Sequence, residues 1–394
     1  MGSGDLAIRG GTLIDGTGAP GVVADVRVED GRVVEIGQGL SAERTLDAGG
    51  CVVAPGFIDI HTHYDAQVFW DPALTPSCFH GVTTVVAGNC GFSIAPTRPD
   101  LREVIALTLE KVEDMNPATL AAGIPWDFET FPEYLDSVER RGTVLNYAAY
   151  VGHTALRLFH MGLDASEREA TEDEIAAMAA SVAEALEAGA AGLATSFAPT
   201  HVGMDGKPLC SRLGGPEEVE PLARELSKRG RGVIEATLGA GFAFNEIYDY
   251  QRKLGVPVTY TALPATPGLW QYGSEVHTKE RAQGTDVWPQ ISCRAITLQF
   301  QLSKPFPFDS VECFSELYAQ SHEERRRRHR DPAWRAKAEE ALQGTALPTR
   351  WENFEVAESE VHPGLIDRKL AALAAERGVT PFDVLVELFL EDEQ

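Results

Sequence analysis

The spacing of the hydrophobic positions changes near residue 55 of this chain. Before that point, short segments alternate apolar and polar residues, which is typical of strands in a small sheet. These segments lie at 6–9, 12–15 and 25–36. The step Asp30-Gly31 inside the last segment predicts a hairpin turn, because glycine tolerates positive φ. We therefore expect residues 1–54 to form an N-terminal β module, a small β-sandwich without a core of its own.

After Pro55, continuous apolar runs alternate with segments of helical periodicity. A helix predicted over 171–188 opens with Thr171-Glu172-Asp173-Glu174, which is a capping-box pattern. Alternation of strands and helices on this scale predicts an α/β fold, a (β/α)8 TIM-type barrel over 55–394. The runs that predict its buried parallel strands lie at 57–63, 82–87, 144–151, 192–195, 232–237, 256–262 and 287–293.

The predicted barrel is incomplete, because the sequence supplies about seven strands and no convincing eighth. Three helices are predicted instead, at 310–320, 331–343 and 381–391. We expect either that an unusual segment closes the barrel or, as the favoured interpretation, that the chain is a truncated form of a longer protein. An open barrel has unpaired edges, and a second chain covering them would make a homo-oligomer, predicted to be a dimer.

The composition of the chain limits the classes of molecule that it is expected to bind. The chain has 394 residues and a formal net charge of −25, which argues against nucleic acid and anionic membrane surfaces. No apolar run reaches the roughly 18 residues that a membrane span needs. Six cysteines without a CxxC pair indicate reduced thiols in a cytoplasmic protein. The basic run at 325–330 is interpreted as a solvated helix face.

The strongest chemical signal is His61-Thr62-His63, at the end of the first apolar run after Pro55. Side chains at positions i and i+2 of a strand point to the same side. Two imidazoles inside a barrel can bind a divalent metal, and burying them there without a partner is costly. The pattern therefore predicts a pair of metal ligands, with Asp59 and Asp65 in phase.

A cysteine follows the second predicted strand, in Gly88-Asn89-Cys90-Gly91. A thiolate flanked by small residues at a strand end can ligate zinc. The alternative is that Cys90 is a small apolar residue packed under a loop.

Together, residues 55–65 and 81–91 resemble the D-aminoacylase branch of the amidohydrolase superfamily, whose members are N-acyl-D-amino-acid deacylases. The segment Val151-Gly152-His153 is similar to the Val-Gly-His segment of that branch. The resemblance covers about residues 5–300. It implies a zinc centre of one or two ions, with His61, His63 and Cys90 as ligands.

Two departures from the family alter this expectation. The family places histidine ligands at the ends of the fifth and sixth strands, whereas 232–238 and 256–263 contain no histidine. Its catalytic aspartate follows the eighth strand, which is not found here. Glu235 is the best substitute, either as a metal ligand or as the catalytic carboxylate that transfers a proton. A pair with a barrel arginine is the alternative for Glu235.

Four further residues are candidates. His153 is predicted to be catalytic, either by supporting the ligands or by contacting substrate. His201 lies in a glycine-rich loop after the fourth strand and either reaches the pocket or caps a turn. Arg212 is a candidate for bidentate binding of a substrate carboxylate, although a surface arginine is the default. Asp65 completes the predicted substrate-binding set.

The sequence thus predicts a metal-dependent hydrolase that cleaves a linear amide C–N bond, with a small N-acyl amino acid or related amide as substrate. A cyclic amidase of the hydantoinase or dihydroorotase type is an alternative. Such enzymes usually carry a carboxylated lysine at the fourth strand, and 191–196 contains no lysine. A catalytically inactive relative that keeps the barrel for binding is the alternative outside the enzymes.

Overall fold

The structure of the chain, a computed structural model, describes residues 5–113, 115, 117–203, 207–263, 269–294, 297–303, 305–308, 311–317, 320–343 and 349–392. The strands are β1 Leu6–Leu13, β2 Val22–Glu29, β3 Arg32–Gly37, β4 Arg44–Asp47, β5 Val52–Val53, β6 Phe57–Asp59, β7 Val82–Ala87, β8 Asn146–Gly152, β9 Gly192–Ser196, β10 Val233–Thr237, β11 Val258–Thr261 and β12 Val287–Pro289. The α-helices are α1 Arg102–Glu113, α2 Pro117–Gly123, α3 Phe131–Arg141, α4 His153–Met161, α5 Glu172–Ala188, α6 Gly215–Arg229, α7 Glu246–Leu254, α8 Leu269–Ala282, α9 Glu312–Ser315, α10 His322–Arg330, α11 Pro332–Gln343, α12 Leu370–Arg377 and α13 Pro381–Asp392.

The N-terminal sheet has the order β3-β2-β1-β4, and β5 also pairs with β1. The predicted hairpin is confirmed, since Asp30 and Gly31 have φ of 47° and 74° and join β2 to β3. The two predicted strands at 6–9 and 12–15 are instead one strand, β1. A shift in its pairing between Ile8 and Gly11 lets it continue through Gly10, at φ of 75°.

Seven strands form a second sheet in the order β12-β11-β10-β9-β8-β7-β6, curled into a half-barrel. Each predicted apolar run overlaps one of these strands, so the prediction of an incomplete barrel with about seven strands is confirmed for the described residues. The residue pairs within the sheet are parallel between β6 and β7, and from β8 through to β12. This order leaves β6 and β12 at the two ends of the sheet.

The expectation of a buried first strand over 57–63 is wrong in two respects. Strand β6 ends at Asp59, so His61 and His63 follow the strand and are not part of it. Phe57 and Ile58 are also 64% and 60% exposed. Because β6 is the last strand in the order, the sheet offers it a neighbour on one side only.

Contacts divide the chain into two compact units. The first contains residues 1–61, 73–86 and 143–148, and thus the N-terminal sheet. The second contains residues 62–72, 87–142 and 149–394, with the helices α1 to α13. The predicted domain boundary after residue 54 stays a prediction.

The helices agree with the predicted periodicity in most places. Helix α5 begins after Thr171, whose side chain forms the predicted capping box with Glu174. Helices α11 and α13 match the predictions at 331–343 and 381–391. Of the residues described between 311 and 320, α9 accounts for the helical ones. The C-terminal helices share an apolar core that includes Phe314 and Phe382. No helix in the described ranges is long and apolar enough to cross a bilayer.

The basic run lies on α10 and is solvated only in part. Arg327 pairs with Glu324 on its own helix, as a solvated face predicts. Arg325 and Arg326 instead donate to the backbone carbonyls of Ser303 and Phe389. These bonds tie the helix to neighbouring segments of the second unit.

Candidate metal centre

One ligand atom from each of His61, His63 and Cys90 lies within 4.8 Å of the other two. The structure therefore brings the three predicted ligands together. It does so through the segments that follow β6 and β7, and not through the two-residue repeat of a strand. The amide of Asn89 helps to fix this arrangement, because its Nδ2 donates to the backbone oxygen of Thr62 at 3.2 Å.

The glycines of Gly88-Asn89-Cys90-Gly91 allow the turn to pack tightly. Gly88 has φ of 77°, and a Cβ there would lie 2.3 Å from the backbone oxygen of Tyr150. Gly91 has φ of 73°, and its Cβ would lie 3.0 Å from the Cα of Thr195. Glycine is required at both positions because a side chain would be strained as well as crowded.

Gly152 has a structural role within the Val-Gly-His segment. A Cβ on this residue would lie 2.5 Å from the backbone oxygen of Gly91 and 2.7 Å from the backbone nitrogen of Ser93. The end of β8 can therefore approach the cysteine turn only without a side chain. The side chain of Ser93 strengthens the contact by accepting the N–H of Gly152 at 3.0 Å.

Glu235 lies on β10 and is completely buried beside the cysteine turn. Its Oε2 accepts the backbone N–H of Cys90 at 2.7 Å, and its Oε1 accepts the hydroxyl of Thr261 at 2.9 Å. Burial raises the pKa of this carboxyl to about 7, although the two hydrogen bonds act to lower it. Among the described residues no arginine pairs with Glu235, which was the alternative interpretation.

Asp65 supports the same turn from the other side. Its Oδ2 accepts the N–H of Gly88 at 3.0 Å, and its backbone oxygen accepts the hydroxyl of Tyr134 at 3.1 Å. The side chain is 2% exposed, and burial raises its pKa to about 7. The predicted contact of Asp65 with substrate stays a prediction.

His153 begins α4, directly after β8, within a buried charged network. Its Nε2 lies 2.7 Å from Oε1 of Glu218, and its Nδ1 lies 2.9 Å from the hydroxyl of Thr195. Arg157 donates from Nη1 to both oxygens of Glu218, at 2.6 and 2.5 Å. Both ring nitrogens of His153 are therefore engaged, so these contacts position the residue. Its predicted catalytic role stays a prediction.

Glu218 and Arg157 were not predicted as members of the site. Arg157 lies four residues after His153 on the same helix, a spacing that places both side chains on one face. That spacing was an available signal. Glu218 had none, because α6 carries several glutamates and only the fold separates the buried one from those at the surface.

His201 and Arg212 lie together after β9. The Nδ1 of His201 is 2.7 Å from the hydroxyl of Ser196, and its ring centroid is 5.2 Å from that of Phe92. Arg212 donates from Nη1 to the backbone oxygens of Pro199 and His201, both at 3.3 Å. Arg212 therefore braces the segment that carries His201. Part of this loop, residues 204–206, lies outside the described residues.

A model of the amidohydrolase family matches residues 44–243, which is 200 of the 394 residues. The chain belongs to the amidohydrolase family. The matched segment contains all eight residues that the sequence analysis singled out for the site: His61, His63, Asp65, Cys90, His153, His201, Arg212 and Glu235.

Three relatives confirm the predicted D-aminoacylase branch. D-aminoacylase of Alcaligenes xylosoxydans xylosoxydans is 36% identical over 265 residues, which are 64% of this chain and 49% of the relative. N-acyl-D-aspartate deacylase of the same organism is 39% identical over 221 residues, 54% of this chain and 41% of the relative. The chain thus spans about half, or less, of these curated relatives.

The third relative is a crystal structure of N-acyl-D-glutamate deacylase from Bordetella bronchiseptica, complexed with zinc and a phosphonate inhibitor that mimics the tetrahedral intermediate. It is 27% identical with a TM-score of 0.62, and the match covers 98% of this chain and 70% of that one. At this identity and TM-score, the two chains are similar in fold as well as in sequence.

Proposed function

We propose that this chain is a metal-dependent hydrolase that cleaves the linear amide bond of N-acyl-D-amino acids. The observation that carries the proposal is the approach of donor atoms from His61, His63 and Cys90 to within 4.8 Å of one another. The family match and the deacylase relatives support the choice of reaction.

The donor set fits zinc. Two neutral imidazoles and one thiolate are ligands of the type that zinc prefers, whereas magnesium and calcium prefer oxygen. We therefore propose one or two zinc ions, with His61, His63 and Cys90 as ligands. When bound, such an ion polarises a carbonyl and lowers the pKa of a coordinated water.

The surrounding residues are proposed to shape and serve this centre. His201 and Arg212 follow β9, and the fixed charge of Arg212 suits the carboxylate of an N-acyl amino acid. His153 is the proposed proton-handling candidate, and Glu235 is the alternative that the sequence suggested. Both oxygens of Glu235 accept hydrogen bonds, so proton transfer by Glu235 requires one of those bonds to open during the reaction.

The test is the zinc content per chain, measured by elemental analysis after purification without a histidine tag, together with hydrolysis of N-acyl-D- and N-acyl-L-amino acids. We expect about one zinc or more per chain and hydrolysis of D-substrates. Both are expected to be lost in Cys90→Ala and His61→Ala. Cys51→Ala and His80→Ala are matched controls at positions outside the cluster and should retain both.

Two results would contradict the proposal. Full hydrolysis in Cys90→Ala or His61→Ala would exclude these residues as essential ligands. Absence of both metal and hydrolysis in the unaltered chain, with zinc supplied, would favour the inactive relative.

A further inference from the structure

Cys90 adopts a backbone conformation that is unusual for its residue type. Its φ and ψ are 57° and 15°, in the left-handed region. A residue with a Cβ is disfavoured there, because its Cβ approaches the following carbonyl oxygen. Glycine would relieve this strain but would remove the thiol. A chain that needs the thiol at this position must hold the backbone in place by other contacts.

The contact that holds Cys90 comes from a distant part of the chain. The backbone N–H of Cys90 donates to Oε2 of Glu235, a residue 145 positions later, at 2.7 Å. The acceptor is a fully buried carboxyl, so water does not compete for this hydrogen bond, and its length is typical of a well-formed one. The bond therefore links the cysteine turn after β7 to β10.

Glu235 is itself fixed from the far side. Its Oε1 accepts the hydroxyl of Thr261 on β11 at 2.9 Å, and that hydroxyl also lies 2.8 Å from Oε1 of Gln290, just after β12. Thr261 at the end of β11, itself in contact with Gln290 just after β12, thus orients the carboxyl. An oriented acceptor can select one backbone conformation of Cys90.

We propose that Glu235 is a positioning residue, whose carboxyl holds the backbone amide of Cys90 so that the thiolate stays beside His61 and His63. This inference rests on the proposed metal centre and differs from the role that the sequence suggested. The sequence suggested that Glu235 replaces a missing histidine ligand or transfers a proton. The contacts instead give Glu235 a backbone amide and a hydroxyl as partners.

Two substitutions separate these roles. In Glu235→Gln the amide oxygen still accepts the N–H of Cys90, and its NH2 group donates to the hydroxyl of Thr261. That hydroxyl can then donate its proton to Oε1 of Gln290, which lies 2.8 Å away, instead of to residue 235. Glutamine therefore preserves the anchor while removing the negative charge on which a carboxylate ligand or a carboxylate base relies. Glu235→Leu removes the anchor and keeps a similar volume.

The first measurement is amide hydrogen exchange of the cysteine turn in metal-free protein. We expect the Cys90 amide to be protected in the unaltered chain and in Glu235→Gln, and protection to fall by about tenfold or more in Glu235→Leu. The second measurement is Co²⁺ titration, followed by the thiolate-to-cobalt charge-transfer absorption. We expect Glu235→Gln to bind Co²⁺ within about threefold of the unaltered chain, and Glu235→Leu to bind at least about tenfold more weakly.

Asp25→Asn is the matched control for loss of a buried carboxyl. Asp25 lies on β2, is 4% exposed and accepts the backbone N–H groups of Gly10 and Leu40. Its substitution should leave cobalt binding unchanged. Circular dichroism establishes whether each variant is folded. If Glu235→Leu does not fold, Glu235→Gln still decides between an anchor and a ligand.

Three outcomes overturn the inference. Loss of the charge-transfer band in Glu235→Gln, as in Cys90→Ala, would show that the carboxylate itself is a ligand. Equal protection and cobalt binding in Glu235→Leu would show that the hydrogen bond does not position Cys90. No cobalt binding by the unaltered chain would refute the metal centre, whereas exchange in the metal-free protein still decides whether the bond to Glu235 exists.

Discussion

The buried pair of Glu218 and Arg157 provides the sharpest test of the folded structure. Arg157 is completely buried and Glu218 is 3% exposed. Nη1 of Arg157 donates to both carboxylate oxygens, and His153 contacts one of them. Glu218→Gln keeps the size of the side chain but leaves the guanidinium without its counter-charge.

The expected loss of stability follows from this burial. Breaking a buried ion pair by removing one partner costs about 3–5 kcal/mol, because the other charge stays in a poor solvent. The amide oxygen of glutamine still accepts one hydrogen bond, and Arg157 also donates to the backbone oxygens of Ala165 and Arg168. We therefore expect Glu218→Gln to lower the free energy of unfolding by about 3 kcal/mol, near the lower end of this range.

The assay is urea unfolding of the unaltered chain, Glu218→Gln, Arg157→Met and the double variant at pH 7. Because the chain contains two compact units, unfolding is followed by hydrogen exchange of the α4 and α6 amides. The double variant should be more stable than the sum of the single losses predicts, by at least about 1 kcal/mol, because no unpaired charge remains.

Glu220→Gln is the matched control, since it makes the same change on the same helix. Glu220 pairs with Arg224, whose side chain is 52% exposed, so this loss should stay below about 1 kcal/mol. Equal losses in Glu218→Gln and Glu220→Gln would refute the reasoning. Strict additivity of the double variant would also refute it, because it would mean that the two charges do not interact.

Three further predictions concern the turn, a helix and acid stability. Gly88→Ala should weaken Co²⁺ binding at least about tenfold, because the added Cβ would collide with the backbone oxygen of Tyr150. Gly230→Ala is the control and should not weaken it, because Gly230 also has positive φ but has open space around its Cβ position. Thr171→Ala should lower the stability of α5 by about 1 kcal/mol in thermal unfolding. Although burial opposes it, hydrogen bonds to His153 and Arg157 hold the pKa of Glu218 below its ordinary 4.5. The stability from Glu218 is therefore present above pH 4.5 and lost as pH falls through its folded pKa; a stability gap to Glu218→Gln that stays constant in acid would contradict this.

The strands were predictable where a run is buried in the sheet. The run at 192–195 and β9 differ by one residue, because all of β9 is buried and burial of both faces gives a strand in a parallel sheet a continuous run of residues that tolerate burial. The run at 57–63 extends beyond β6, because hydrophobicity alone does not distinguish a strand from the apolar segment that follows it. Phe57 and Ile58 are apolar and yet exposed, and exposure at the end of a sheet depends on the assembled fold.

The site was predictable to the extent that its chemistry is local. His61, His63 and Cys90 lie within 30 positions of one another and were identified from two motifs. The glycines at 88 and 91 were visible as a motif, but the reason for them is the approach of Tyr150 and Thr195. The sequence alone does not distinguish Glu218 from the other glutamates of α6.

Glu235 shows why local motifs give an incomplete account of this centre. Judged by position, an acidic residue on the strand that should carry a histidine looks like a replacement ligand. Judged by contacts, it accepts a backbone amide from a turn 145 residues away and is oriented by β11. The two roles require different chemistry: a carboxylate ligand binds the metal through its negative charge, whereas an anchor needs only an oriented acceptor. Because glutamine supplies the second without the first, the behaviour of Glu235→Gln determines which account describes this chain.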